Sequence, residues 1–207
     1  MSARRDAPAI DAEYPVHLVE GVRLTDGRAM MIRPISPADA ERERRFVREL
    51  SEETKRFRFM HAMKELSPSL LARFTRIDYR REMALVAMLE EALEPRQVGV
   101  ARYVVNADGR GAEFAIVVGD SVRRRGIGMH LMHSLMHVAQ RQGVERFDGE
   151  VHADNRPMRR LMEVLGFDAA RSRDDHSLVR VTRELSPRQG PNRSRSRPAV
   201  APRRRRF

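Results

Sequence analysis

The chain of 207 residues contains no cysteine and no tryptophan. The absence of cysteine excludes a disulfide framework, a metal site built from thiolates and a cysteine nucleophile. The absence of tryptophan, with only three tyrosines, leaves no aromatic platform on which the bases of a single strand could stack. No apolar run approaches the ~18 residues that a membrane helix needs, and the charged first residues lack the apolar core of a signal peptide. We therefore expect a soluble, cytoplasmic protein.

Positive charge is abundant, but it is unevenly distributed. The net charge is +11, and residues 186–207 hold eight arginines and no acidic residue. Arginine, serine and proline without apolar periodicity cannot build a core, so we expect this tail to be disordered. The sequence therefore predicts a flexible segment over residues 1–20, one folded domain over residues 21–185 and the tail. Nucleic acid is expected as a partner only through the tail.

Apolar periodicity and turn signals predict a mixed α/β domain with the order ββαααβββαβαββ. An Asp-Gly turn at residues 26–27 joins the first two strands. Ser36-Pro37 opens the first helix with an N-cap and a proline at its first position. The run at residues 83–89 is typical of a central strand. The last two helices are predicted from Gly126 to about Gln142 and from about Asn155 up to Gly166.

The stretch VRRRGIGMH at residues 122–130 joins a predicted strand to a predicted helix. A helix N-terminus leaves its first four N–H groups unpaired and carries about half a positive charge, so it binds anions readily. Gly126 and Gly128 let the backbone approach phosphate oxygens without a Cβ in the way. The three arginines at 123–125 add positive charge and can pair with phosphate. This arrangement predicts a site for the diphosphate of a nucleotide-like cofactor.

Two common phosphate motifs do not fit this stretch. The dinucleotide fingerprint G-x-G-x-x-G would need a third glycine at Leu131, and the phosphate loop G-x-x-x-x-G-K-[ST] is absent. The motif that is present, R-x-x-G-x-G at residues 123–128 after an apolar strand, resembles that of the GNAT acetyltransferases. Residues 155–167, NRPMRRLMEVLGF, resemble the later N-x-x-x-x-x-L-x-x-x-x-G-F segment of that family.

Residues 22–54 and 71–87 resemble the acetyltransferase domain of bacterial protein lysine acetyltransferases, and the resemblance extends over roughly residues 22–181. It implies the GNAT fold, acetyl-CoA as co-substrate, no metal, and direct attack of an amine on the thioester. It also implies Glu113 as the base that takes the proton from the amine, with Glu150 as a second candidate. The residues expected at the cofactor are Ile116, Val117, Val118, Arg123, Arg124, Arg125, Gly126, Ile127, Gly128, Met129 and Asn155.

Within this set, the resemblance implies that the backbone of residues 116–118 pairs with the pantetheine arm and that a Val118 N–H polarises the thioester carbonyl. Asn155 has an alternative interpretation as the N-cap of its helix. Asp78 is interpreted as shaping the substrate side. Met162 stands where many GNAT enzymes carry a tyrosine that protonates the leaving thiolate, which methionine cannot do. The spacing of His130, His133 and His137 is interpreted as a solvated helix face rather than a metal site.

The sequence leaves the acceptor open. The side chain of a protein lysine is the first hypothesis, and a small amine is the alternative within the enzyme class. A module of another class, a catalytically weak acyl-CoA sensor or a nucleic-acid-associated protein that uses the arginine-rich tail, is the other alternative. The spacing of residues gives no indication of an oligomeric state.

Overall fold

The structure, a computed structural model, describes residues 13–60, 65–172 and 175–185. Its helices and strands confirm the predicted order ββαααβββαβαββ. The strands are β1 (Glu20–Arg23), β2 (Ala29–Pro34), β3 (Glu82–Leu89), β4 (Arg96–Val105), β5 (Gly111–Val118), β6 (Arg146–His152), β7 (Asp168–Arg171) and β8 (Leu178–Glu184). The helices are α1 (Ala40–Glu49), α2 (Glu52–Phe59), α3 (Pro68–Thr75), α4 (Ile127–Arg141) and α5 (Arg156–Val164).

The strands form one eight-stranded sheet in the order β1-β2-β3-β4-β5-β6-β8-β7. All neighbours are antiparallel except β5 and β6, which are parallel. These two strands pair only from Gly111 to Glu113 on β5, opposite Arg146 to Asp148 on β6. Both strands then continue, to Val118 and to His152, without pairing with each other. The sheet is therefore split at the C-terminal ends of β5 and β6.

Helices cover both faces of the sheet. A Cβ at Gly99 on β4 would lie 3.0 Å from Leu131 of α4, so α4 packs on the face to which residue 99 points. Side chains alternate between faces along a strand, so Arg102 points to the opposite face, where it donates to the Phe74 carbonyl of α3 at 2.9 Å. The hydrophobic core lies between the sheet and α4, where Leu131 and Leu135 are completely buried against β3 and β4.

An aromatic cluster holds the paired ends of β5 and β6 together. The ring of Phe114 lies 5.6 Å from that of Phe147 and 5.1 Å from that of Phe167, measured between centroids. A Cβ at Gly149 would lie 2.7 Å from the Phe114 ring, so only glycine allows this approach without displacement. The cluster fixes the point at which the split begins.

The start of the fold differs from the sequence-based boundary. The Tyr14 hydroxyl donates to the Pro34 carbonyl at 3.0 Å, and its ring meets Tyr79 edge-on at 6.0 Å. Residues 13–20 therefore lie against the sheet, because one tyrosine anchors a segment that carries no periodic pattern. Residues 1–12 and 186–207 lie outside the described residues, so the flexibility and disorder expected there stay predictions. Within the described ranges, no helix is long and apolar enough to cross a membrane.

Candidate active site

The start of α4 presents backbone N–H groups at the mouth of the split. Gly126 is the N-cap of α4 and has φ +84°, a conformation that glycine adopts without steric cost. A Cβ at Gly128 would lie 3.2 Å from Cδ2 of Leu161 on α5, so a larger residue would crowd the gap between α4 and α5. The two glycines have different tasks: Gly126 makes the turn, and Gly128 keeps the gap open.

This gap is a cavity of about 800 Å³, here called the α4 cleft. It lies between the end of β5, the start of α4 and α5, at the split in the sheet. The residues predicted at the cofactor that line it are Ile116, Val118, Arg123, Arg124, Arg125, Gly126, Ile127, Gly128, Met129 and Asn155. Ten of the eleven residues predicted at the cofactor thus line one cleft.

Val117 is the exception, and the geometry of β5 explains why. The Gly119 N–H donates to the Val98 carbonyl of β4 at 2.8 Å, and the Gly111 carbonyl accepts from Asn106 at 2.8 Å. Backbone groups alternate in direction along a strand, so Val117 also directs its N–H and C=O to β4. Ile116 and Val118 direct theirs into the split, where β6 no longer pairs. The expectation for the Val117 backbone therefore needs correction, and its side chain is buried.

The three consecutive arginines have three different environments. Arg123 lies 2.8 Å from the Asp120 carboxylate and also donates to the Thr54 hydroxyl. Arg125 lies 2.6 Å from Asp26 on the β1–β2 turn. Arg124 is exposed and, within the ranges that the structure describes, its guanidinium has neither a hydrogen bond nor an ion pair. Arg124 is thus the arginine that is free to pair with an incoming phosphate.

A second cavity, of about 320 Å³, opens on the other side of Ile116 and is here called the α2 cavity. Both candidate bases, Glu113 and Glu150, line it and are exposed. Glu113 pairs in register with Asp148, so Glu113, Asp148 and Glu150 point to the same face of the sheet. Helix α2 forms the opposite wall, with an aromatic and cationic surface made of Phe57, Arg58, Phe59 and Met60.

The two cavities meet at residues that line both, namely Ile116, Asn155 and Met158. The Asn155 side-chain oxygen accepts the N–H of Met158 at 3.2 Å, which confirms its interpretation as the N-cap of α5. Its place at the junction also leaves it adjacent to the α4 cleft. A ligand in the α4 cleft and an acceptor in the α2 cavity can therefore reach each other past Ile116.

Asp120 joins the two regions, and the sequence patterns did not single it out. Its carboxylate accepts the Ser51 N–H at 2.9 Å and the Thr54 hydroxyl at 2.7 Å, both at the start of α2, and pairs with Arg123. Burial raises the pKa of Asp120, but these hydrogen bonds and the charge of Arg123 outweigh it, so the pKa is lowered overall. No sequence motif joins Asp120 to Ser51 and Thr54, because they are distant from it in the chain.

Asp78 does not lie where it was expected. Its carboxylate accepts the N–H groups of Arg80, Arg81 and Glu82 at 2.8–2.9 Å, which shapes the turn before β3. It lines neither the α2 cavity nor the α4 cleft. The interpretation that Asp78 shapes the substrate side is therefore replaced by a structural role.

Met162 and the three histidines complete the residues considered from the sequence. Met162 is 2% exposed and belongs to the core. His133 and His137 are exposed and His130 is partly buried, in agreement with a solvated helix face. Among the described residues, no group of three or more His, Cys, Asp or Glu side chains could hold a metal ion.

Comparison with known proteins matches this architecture to one family. The family model for the acetyltransferase (GNAT) family matches residues 44–167. Acetyltransferase PA5475 of Pseudomonas aeruginosa is 40% identical over 163 residues, which cover 79% of this chain and 87% of that protein. The chain therefore belongs to the GNAT acetyltransferase family, and it is an acetyl-CoA-dependent N-acetyltransferase.

Two further matches are to proteins that carry the name Pat. Acetyltransferase Pat of Mycolicibacterium smegmatis is 35% identical over 167 residues, which cover 80% of this chain but only 49% of Pat, so the chain spans about half of that relative. The crystal structure of the GNAT domain of S. lividans PAT superposes with a TM-score of 0.76 at 30% identity, covering 83% of this chain and 99% of that chain. The chain thus resembles the bacterial protein acetyltransferases within the family.

The residues of the α4 cleft fit the co-substrate that the family uses. Gly126 holds the left-handed turn that presents the first N–H groups of α4, and Arg124 has a free guanidinium beside them. These are the groups that a diphosphate requires. Ile116 and Val118 direct backbone groups along the cleft that neither β4 nor β6 uses, which suits the amides of a pantetheine arm.

Proposed function

We propose that this enzyme transfers acetyl from acetyl-CoA to the side-chain amine of a protein lysine, with Glu113 as the base. The observation that carries the proposal is the junction of two cavities at Ile116. The α4 cleft, with its helix N-terminus and free arginine, meets the α2 cavity, in which Glu113 is exposed. Resemblance to the bacterial protein acetyltransferases supports a protein as the acceptor.

The amine must lose a proton before it can attack a carbonyl carbon, because a lysine near its ordinary pKa of about 10.4 is mostly protonated at neutral pH. Glu113 is an exposed carboxylate at the end of the paired part of β5, next to the junction. It accepts this proton directly or through one water molecule. Glu150 lines the same cavity and is the alternative base.

Two features of the junction assist the transfer. The N–H of Val118 points into the split and is not used by β4 or β6, so it can donate to the thioester oxygen as negative charge develops there. Holding both reactants at one junction also removes much of the entropic cost of their meeting.

Protonation of the leaving thiolate needs a source other than residue 162. Met162 is buried and has no proton to give. We propose that a water molecule in the open α2 cavity relays to the thiolate the proton that the attacking nitrogen loses as the amide forms, since Glu113 and Glu150 leave that side of the junction polar.

The proposal is tested by incubating the full chain with labelled acetyl-CoA and a cell lysate, then identifying the labelled molecules. Labelled lysines on proteins, lost in Glu113→Gln, support the proposal. Label confined to small amines would replace the acceptor, and labelling that is unchanged in Glu113→Gln would remove Glu113 as the base. A chain lacking residues 186–207 should bind acetyl-CoA equally well. The cytoplasmic location and the disordered tail stay predictions.

A further inference from the structure

Arg58 forms part of the wall of the α2 cavity, beside both candidate bases. It lies on α2, and its guanidinium carbon is 5.2 Å from the ring centroid of Phe59 and 6.0 Å from that of Phe74. Rings at these distances attract a cation through their faces. The side chain is partly buried. A positive charge is thus held at a defined place in the cavity that receives the acceptor.

This charge has no counter-ion of its own. The other cations of α2 are paired, Lys55 with Glu52 at 3.0 Å and Arg56 with Asp154 at 2.8 Å. Arg58 makes neither an ion pair nor a hydrogen bond within residues 13–60, 65–172 and 175–185. Burial, together with the charge of Arg102, lowers the pKa of Arg58 to about 10. The guanidinium therefore stays protonated at neutral pH but is poorly stabilised.

The groups behind Arg58 do not neutralise it. Arg102 also lies over the Phe74 ring, 4.2 Å from its centroid, and its buried Nε has no hydrogen-bond partner among the described residues. Glu43 is the buried carboxylate nearby, and it is 2% exposed and engaged by the side-chain amide of Gln97. Burial raises the pKa of Glu43, which weakens it as a counter-charge. The wall behind the cavity thus carries two guanidinium groups, and no carboxylate of the described residues forms an ion pair with either of them.

Glu113 also faces this wall, and its charge favours the protonated form of Arg58. However, Glu113 must remain free to accept the proton of the amine, and no ion pair joins it to Arg58 in the described part of the chain. A carboxylate supplied by the acceptor would complete the site, because a guanidinium prefers a carboxylate in a paired, hydrogen-bonded geometry.

We infer that Arg58 is a specificity-determining residue that binds a carboxylate of the acceptor, so that the preferred lysine has an aspartate or glutamate beside it. The inference rests on the proposed function, since it takes the acceptor to be a protein lysine. It also follows that polyamines, which carry only positive charge, are poor acceptors because Arg58 repels them.

The test uses two synthetic peptides that differ only in whether the single lysine is flanked by glutamate or by glutamine. We expect wild type to acetylate the glutamate peptide with a kcat/KM about 10- to 100-fold higher, the range of a charge-assisted pair in a partly buried site. Arg58→Gln should lose this preference by losing activity on the glutamate peptide alone. Arg58→Glu should instead prefer a third peptide, in which arginines flank the single lysine, over the glutamate peptide. Arg44→Gln, an exposed arginine of α1, is the matched control and should retain the preference.

Acetyl-CoA affinity, measured by calorimetry, checks that each variant is folded. Equal activity of wild type on both peptides would overturn the inference while leaving lysine acetylation intact. So would an equal loss on both peptides in Arg58→Gln, which would place Arg58 elsewhere in the reaction. Acetylation of free amino acids, dependent on Arg58 and without labelling of any peptide, would support carboxylate binding and overturn the protein acceptor. No labelling of any amine would overturn the proposed function, and the inference with it.

Discussion

The α4 cleft and the α2 cavity meet at Ile116 but are built in different ways. The cleft is lined largely by one continuous stretch, residues 116–129, and it presents backbone N–H groups and arginines. The cavity is assembled from α2, β5, β6 and the start of α5, and its surface is made of side chains. Backbone recognition suits a ligand that is the same in every turnover, whereas a side-chain surface can differ between relatives that use different acceptors.

The largest expected effect is a loss of activity from a substitution in the α2 cavity. Glu113→Gln should lower kcat/KM by about 10²- to 10⁴-fold, the usual contribution of a general base, and should leave acetyl-CoA affinity unchanged because Glu113 does not line the α4 cleft. Steady-state kinetics on a lysine peptide and calorimetry with acetyl-CoA measure the two quantities. Glu150→Gln is the matched control. If Glu150→Gln shows the larger loss, the two carboxylates exchange roles.

Substitution of a glycine should instead impair acetyl-CoA binding in the α4 cleft. Gly126 and Gly143 have nearly the same φ, +84° and +85°, at opposite ends of α4, and each has room for a Cβ. Alanine at either position costs about 1 kcal/mol of stability because of the positive φ. Only Gly126→Ala should also weaken acetyl-CoA binding, by about tenfold or more, because it disturbs the N–H groups that face the ligand. Equal acetyl-CoA affinity in both variants would show that the cleft does not bind the diphosphate.

The three arginines allow a finer comparison within the cleft. Arg124→Gln should weaken acetyl-CoA binding about 5- to 10-fold at low salt and less at high salt, as expected for an exposed charge pair. Arg125→Gln should have a smaller effect, because Arg125 is already paired with Asp26. Titrations at two ionic strengths measure both, with Arg160→Gln on the exposed side of α5 as the control. An equal loss in Arg124→Gln and Arg125→Gln would show that the Asp26 pair opens when the ligand binds.

The smallest effect concerns the link between the two regions. Asp120→Asn should lower the free energy of unfolding by about 1–2 kcal/mol at pH 7, since the carboxylate accepts three hydrogen bonds from Ser51 and Thr54 at the start of α2 and pairs with Arg123. The pKa of Asp120 is lowered in the folded protein. Its stabilisation is therefore complete above the ordinary value of 3.8 and is lost as the pH falls below that value.

Urea unfolding between pH 7 and pH 3 measures this difference between wild type and Asp120→Asn. Asp168→Asn, a substitution of an exposed carboxylate on β7, is the control and should change the free energy of unfolding at pH 7 by no more than about 0.5 kcal/mol. A wild-type advantage that persists unchanged to pH 3 would contradict the assignment to the ionised carboxylate.

The difference between the α4 cleft and the α2 cavity also explains which parts of the site could be predicted from the sequence. Most residues that line the α4 cleft could be named from the sequence because they are consecutive. The R-x-x-G-x-G pattern at 123–128 indicates both the turn and the positive charge. The expectation for the Val117 backbone needed correction because a short motif does not show which backbone groups the neighbouring strand already uses. Arg58 and Asp120 were not predicted, because their roles depend on contacts with residues that are distant in the chain, such as Phe74 and Ser51.

The parallel seam between β5 and β6 has a consequence for how the two halves of the domain hold together. Three residue pairs and the rings around Phe114 are among the contacts that join the β1–β5 half to the half that contains β6, β8 and β7. If acetyl-CoA binds along β5 as proposed, its amides would occupy the hydrogen-bonding positions that β6 leaves open beyond Glu113. Binding of the co-substrate would then stabilise the contact between the two halves, and release of the product would weaken it.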